Sequence, residues 1–363
     1  MVRSKGEIQI MKHEELYDVT IIGGGPAGLF AAFYSGLREM KTKLIEYQPV
    51  LGGKVHVYPE KMIWDVGGLT PILGEKLIEQ MVEQGLTFHP TVVLNQKVES
   101  IERDDSGLFK LRAASGEEHY TKTVIVAIGG GILEPQRIDL EGAEKFEVSN
   151  LHYVVKSLMR FKDKTVIISG GGNSAVDWAN ELEPIARQVY LTYRKDALSG
   201  HEAQVKQLLN SSVKCFFHTT ITKLMAHPNH EKIEKVELTN HLTGEVDELA
   251  IDEVIINHGY ERDRSLLENS KVDLKLIDGH YIDGQDPSGS SVPGIYAAGD
   301  ILKYDKKLHL IAGAFQDAAN AVNQAKLYLQ PEAHQSGTVS SHNDIFNSRN
   351  RELIHQMMVK NQL

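Results

Sequence analysis

Two glycine-rich runs hold the residues best suited to chemistry. The first, Gly23-x-Gly25-x-x-Gly28, lies between an apolar, β-branched run at 18–22 and a helix-like stretch at 29–37. Between a strand and a helix, each glycine has its own task. Gly23 permits a tight turn, Gly25 lets a pyrophosphate approach the backbone, and Gly28 lets the helix pack closely on the strand. The helix then offers unpaired N–H groups to phosphate. Glu46 ends the following strand, 43–46, where an acid accepts hydrogen bonds from ribose hydroxyls.

Gly170-x-Gly172-x-x-Ala175 repeats the design between a strand at 164–169 and a helix at 175–182, alanine being an accepted third residue. Asn173 and Ser174 lie at the start of that helix, beside the expected phosphates. No acid ends its second strand, 188–193; Arg194 and Lys195 follow instead. Two cations there hold a 2′-phosphate through charge-assisted hydrogen bonds, where an acid would repel it. One acid-terminated and one base-terminated cradle imply FAD at the first and NADPH at the second. The chemistry then belongs to the cofactors, and the chain positions flavin N5 near nicotinamide C4.

The elements that must carry these turns read as a discontinuous pair of α/β domains. Strands are expected at 98–102, 109–112, 119–121, 123–128 and 253–257, with a further one at 294–298 ending in Gly299-Asp300. Helical spacing covers 71–85 and 312–327. The fold class is therefore α/β with two Rossmann-like dinucleotide-binding domains. The first would comprise 14–132 plus 292–330, and the second, 136–290, would be inserted within it. A polar C-terminal extension would follow at 331–363.

Composition excludes other classes. In a chain of 363 residues, a formal net charge of −10 argues against nucleic acid as a partner. No apolar run is long enough to cross a bilayer, so no membrane partner is expected. The polar stretch 1–13 has no apolar signal core and reads as a loose tail on a cytoplasmic protein. Cys215 is the only cysteine, so neither an intrachain disulfide nor a cysteine metal cluster is available.

The ordered set Gly23 to Gly28, Glu46, 123–129, Gly170 to Ala175, Arg194 and Gly299-Asp300 resembles the thioredoxin-reductase-like flavoproteins over most of the chain. Five further segments make it most similar to the thioredoxin-reductase-like ferredoxin–NADP reductases of bacteria. They are Leu51-Gly-Gly-Lys54, Tyr58-Pro-Glu-Lys61, Asn150-Leu-His-Tyr153, Ser174-Ala-Val-Asp-Trp178 and Leu308-His-Leu-Ile-Ala-Gly313. The resemblance implies a three-layer ββα architecture and a homodimer. It implies that Asp300 meets the flavin ribityl chain, that the following helix aims its N-terminus at the pyrimidine end, and that Tyr58 stacks on one flavin face. His342, next to Ser341 in the extension, would cover the other face. Ala27, Lys54, Val98 and Leu133 complete the implied flavin contacts.

This sequence also departs from its relatives. Residues 148–155 lack the Cys-x-x-Cys of thioredoxin reductases, and Ala27 stands where bacillithiol-disulfide reductases carry a cysteine. Without a dithiol, electrons must leave directly from the flavin. Lys54 replaces a glutamine, and Ser199 stands where relatives carry a third arginine. The tail order is Ser341-His342-Asn343 ahead of Phe346, not His-Ser-Thr ahead of phenylalanine.

The implied activity is electron transfer between NADPH and ferredoxin or flavodoxin through FAD, with no side chain as acid, base or nucleophile. Lys303, Lys306 and Lys307 follow Asp300 and would form a basic landing site for an acidic carrier. Competing readings are an NADPH-dependent disulfide, quinone or oxygen reductase, and a flavoprotein that senses NADPH.

Overall fold

The computed structural model describes residues 16–131, 134–229, 231–261, 263–284, 288–338, 341 and 343–360. The chain forms two compact units. One comprises Met1–His56, Met62–Gly131 and Asp263–Leu363, and the other Val57–Lys61 with Ile132–Arg262.

In the first unit, the run at 18–22 becomes β1 (Tyr17–Ile22), buried on both faces from Val19 onward because both faces of the sheet are covered. Helix α1 (Pro26–Leu37) starts with proline at its first turn, where no N–H partner is lost. It leads to β2 (Thr42–Ile45), parallel to β1. Helix α2 (Gly74–Gly85) crosses to β3 (Thr91–Val93), which extends the parallel sheet beyond β2. The helical spacing from 71 overshoots, because Ile72–Leu73 pairs with Met62–Ile63 as a short hairpin. An antiparallel branch follows, β4 (Val98–Arg103) and β5 (Phe109–Ala113), joined to β6 (Glu118–Val126). The two strands expected at 119–121 and 123–128 are one. Lys122 does not interrupt it, because its ammonium reaches solvent and the Asp18 carboxylate at 2.8 Å.

In the second unit, β7 (Leu151–His152), β8 (Thr165–Ser169), β9 (Gln188–Tyr193) and β10 (Lys214–Phe217) belong to one parallel sheet. Helix α3 (Asn173–Leu182) connects β8 to β9, and α4 (Glu202–Leu209) connects β9 to β10. An antiparallel layer, β11 (Thr219–Ala226), β12 (Ile233–Asn240) and β13 (Val246–Ala250), precedes β14 (Glu253–Ile256). The sheet order is β7-β14-β8-β9-β10. Alternation along β8 sorts its side chains: Val166 and Ile168 pack with Ala175, Val176 and Trp178 of α3, whereas Ile167 packs with Ile221 and Val236 of the antiparallel layer. The three layers follow from that alternation.

The unit boundaries differ from those expected at 136–290. Helix α5 (Ser265–Asn269) places Leu266 and Leu267 in the core of the first unit with Ile101 and Phe109, joined by Ile282. The Ile101 N–H donates to Ser270 Oγ at 2.9 Å. Apolar burial therefore assigns 263–290 to the first unit, not the second. In the other direction, the loop Val57–Lys61 groups with the second unit. Lys61 Nζ lies 3.1 Å from Asp177 and 3.2 Å from Glu181, both on α3, and over the Trp178 ring.

Strand β15 (Ile295–Ala297) pairs in parallel with β6, and α6 (Ile311–Leu329) follows. The extension beyond it is anchored to α1. Buried Arg38 donates to Asn323 Oδ1 and to the His334 carbonyl, each at 2.6 Å, and Phe346 packs on Phe88 at 5.5 Å. Helix α7 (Asn347–Lys360) ends the described chain. Among the described residues, no helix is long and apolar enough to cross a membrane.

Candidate functional site

The first cradle is built by close backbone approach. Gly23 has φ +107°, and a Cβ there would lie 2.4 Å from the Ala127 carbonyl oxygen. A Cβ on Gly28 would come within 1.8 Å of the Gly23 oxygen, so only glycine lets α1 sit on this turn. Gly25 caps α1 without any side-chain hydrogen bond, so the helix end keeps donors for an anion. Ala27 is buried in the first turn. Glu46 is buried and reaches the same turn: its Oε2 accepts from Gly24 N at 2.5 Å and its Oε1 from Gln48 N at 2.7 Å. Each oxygen retains a further lone pair for a ribose hydroxyl. Over this turn lies the Leu51–Lys54 loop, with Gly52 N donating to Gly24 O at 2.8 Å. Lys54 itself is exposed.

Gly299 brings the Gly-Asp pair to the same place, since a Cβ on it would lie 3.1 Å from the Ala27 Cβ. Asp300 is exposed beside it. Beneath the pair is a polar hub that the motif reading did not include. Asp317, on α6, is fully buried and accepts from Gly299 N at 3.1 Å, from Tyr304 OH at 2.8 Å, and from Lys307 Nζ. Burial, then the hydrogen bond to Asp317, pushes the Tyr304 phenol up to about 12. The available signal was periodicity: Asp317 occupies the apolar stripe of α6 with Gly313 and Ala321. A carboxylate in such a stripe needs partners.

The expected lysine patch is corrected by this hub. The Lys307 side chain is only 2% exposed and is spent on Asp317. Lys303 pairs with Asp278 at 2.7 Å. Lys306 is the most exposed of the three, 4.0 Å from the equally exposed Asp305. Desolvation explains the change, because a buried carboxylate recruits the nearest cation before any partner protein can.

The second cradle repeats the first in the second unit. Gly170 has φ +150°, and its Cβ would lie 2.4 Å from the Asn257 oxygen. Gly172 caps α3 without a side-chain bond, and a Cβ there would meet nothing within 4 Å. The turn therefore opens onto free space at the helix end. Asn173 Oδ1 accepts from His201 N at 2.8 Å, which steadies the loop beside Ser174. Arg194 and Lys195 are exposed just past β9, with no ion-pair partner among the described residues. Ser199 N donates to the Gly171 oxygen at 2.8 Å, so this residue ties the basic loop to the cradle.

Tyr58 lies half-buried in the loop that groups with the second unit. The Val98 side chain is buried in the first unit's core, leaving its backbone, at a β-bulge, for any contact. Ser341 is exposed, and Leu133 and His342 lie outside the described residues. Burial raises the pKa of the half-buried Cys215 thiol, which disfavours a reactive thiolate.

Residues 17–325 match the family described as pyridine nucleotide-disulphide oxidoreductase. Ferredoxin–NADP reductase 1 of Bacillus mycoides (strain KBAB4) is 73% identical over 348 residues, covering 96% of this chain and 100% of the relative. Ferredoxin–NADP reductase 2 of Exiguobacterium sibiricum is 66% identical, covering 97% and 100%. Among solved structures, Lactococcus lactis thioredoxin reductase superposes with a TM-score of 0.70 at 27% identity, covering 86% of this chain and 99% of that one. The bacillithiol disulfide reductase of Staphylococcus aureus shares the fold, at a TM-score of 0.66 and 18% identity, covering 88% and 100%. With both glycine cradles in place and the match running through nearly the whole chain, the protein belongs to the pyridine nucleotide-disulphide oxidoreductase family, in its thioredoxin-reductase-like ferredoxin–NADP reductase branch.

Proposed function

We propose that this protein transfers electrons between NADPH and ferredoxin or flavodoxin through bound FAD. The carrying observation is the pair of unequal cradles: buried Glu46 beside the first and exposed Arg194 and Lys195 beside the second. An acid suits the ribose of FAD and repels a 2′-phosphate, whereas the cations attract one. FAD would supply hydride acceptance and one-electron release. The chain's own part is to hold it, through Gly23, Gly25, Gly28, Glu46 and Asp300, and to present NADPH through Gly172, Asn173, Ser174 and Arg194. The names of the relatives support ferredoxin as the carrier. A lone half-buried Cys215 supports direct exit of electrons, since a dithiol relay needs two thiols. A cytoplasmic homodimer is part of this proposal, and sedimentation tests the dimer.

The decisive experiment is cytochrome c reduction by NADPH with the purified yellow protein, with and without added ferredoxin. Strong stimulation by ferredoxin is expected. A rate that ferredoxin leaves unchanged rejects the reading.

A further inference from the structure

The donors on the buried Asp317 carboxylate come from different pieces of the first unit. The Gly299 N–H belongs to the Gly-Asp turn, and Tyr304 OH and Lys307 Nζ belong to the loop between that turn and α6. Asp317 itself sits on α6, about 9 Å along the axis from the helix start at Ile311. One carboxylate therefore ties turn, loop and helix together. Its own backbone is fixed as well: Ser288 Oγ donates to the Asp317 carbonyl at 2.7 Å, and Ala297 N donates to the Ser288 carbonyl at 3.0 Å. Gly299 needs such a restraint. Its φ of +76° lies in the left-handed region that glycine adopts without strain, and the same freedom leaves the turn loose unless its N–H is held. Asp300, the next residue, is exposed, so the direction of its carboxylate depends on that turn.

We propose that Asp317 is a positioning residue for FAD, holding through Gly299 the turn that presents Asp300, while Lys307 cancels its charge so that the flavin rests on a neutral support. This rests on the reading of the first cradle as the FAD site. The charge matters because the medium is dry. The Asp317 side chain is 0% exposed and that of Lys307 2% exposed, so water screens neither. The start of α6 carries a positive partial charge that favours added negative charge on a flavin before it. A bare carboxylate further along the same helix would oppose that field, and the ion pair leaves it intact.

The test uses the flavin-loaded protein and two readouts: the rate at which FAD leaves on dilution, and the two-electron midpoint potential against a reference dye. Asp317→Asn strands the ammonium and should raise the potential, whereas Lys307→Met strands the carboxylate and should lower it. Each shift should correspond to about a tenfold change in preference between oxidised and reduced flavin, about 30 mV. Lys307→Met with Asp317→Leu removes both charges and should return the potential to near that of the parent. The same double variant should release FAD roughly tenfold faster, because the Gly299 N–H has lost its acceptor. Shifts of the same sign in the two single variants, or none in either, would overturn the charge role. An unchanged release rate in the double variant would overturn the positioning role, and this variant, free of a stranded charge, decides even where a single variant fails to accumulate. Failure of the unaltered protein to hold FAD would instead reject the first cradle as the flavin site, and the assignment with it.

Discussion

Replacing Lys307 by methionine should destabilise the first unit by about 3 kcal/mol. The reasoning begins from burial. The Asp317 side chain is 0% exposed and that of Lys307 2% exposed, so neither charge has water to fall back on. Removing one member of such a pair strands the other, which costs roughly 3–5 kcal/mol. Asp317 would keep two donors, Tyr304 OH and Gly299 N–H, which places the expected loss at the lower end of that range. Replacing both residues, as Lys307→Met with Asp317→Leu, removes both buried charges and should recover most of the loss. The chain supplies a convenient discriminator. Trp178 is buried in the second unit, while Trp64, in the first, is 75% exposed. In a Trp64→Phe background, urea unfolding followed by fluorescence reports the second unit, and far-UV circular dichroism reports both. With a urea dependence of ~2 kcal/mol per molar, Lys307→Met should move the first-unit transition down by on the order of 1–2 M and leave the fluorescence transition in place. A shift below ~0.5 kcal/mol, or a double variant no better than the single one, would refute the buried-pair argument.

Three other outcomes follow from the geometry. Gly172→Ala should fold normally, because its Cβ meets nothing within 4 Å, yet crowd the cradle and raise the KM for NADPH; Gly170→Ala, 2.4 Å from the Asn257 oxygen, should not accumulate as folded protein, and comparing soluble yield with steady-state kinetics separates the two. Arg194→Ala with Lys195→Ala should cut kcat/KM for NADPH by roughly 10- to 100-fold while sparing NADH, from two charge-assisted bonds of ~1.5–3 kcal/mol before screening in these exposed positions; equal loss with both coenzymes would contradict the 2′-phosphate role. Burial acts to raise the Glu253 pKa, but hydrogen bonds and charge from His152 and Lys164 outweigh it and hold the carboxyl below its usual range. Its stabilising contribution is therefore present above the unfolded value of about 4.3 and lost as pH falls through the lower folded value; Glu253→Gln should flatten the acid limb of the Trp178 unfolding curve relative to the parent.

The two cradles were legible because their requirements are local. A tight turn, a close strand and an unpaired helix end all involve residues within one short stretch, and the clashes met by a Cβ at Gly23, Gly28 and Gly170 account for the glycines and the small residue at each turn. Glu46 and Arg194 were legible for the same reason, since a strand end places its next side chain near the preceding turn. The strand Glu118–Val126 was read in two pieces because the charge of Lys122 hides a continuous strand in which Thr121 on one side and Thr123 to Val126 on the other are buried.

Residue order by itself thus determined the architecture, the two glycine turns and the opposite charge at their two strand ends. Only the tertiary structure decided where the remaining charges are spent and which unit owns which segment. Lys307 reads as a surface lysine until α6 brings the buried Asp317 carboxylate against it. Residues 263–290 read as part of the second domain until Leu266, Leu267 and Ile282 enter the core of the first. Ser169 and His258, 89 positions apart, become partners only when β14 returns beside β8. Each of these depends on which distant group relieves the cost of burying a charge or an apolar surface, and that choice is made by packing rather than by neighbouring residues.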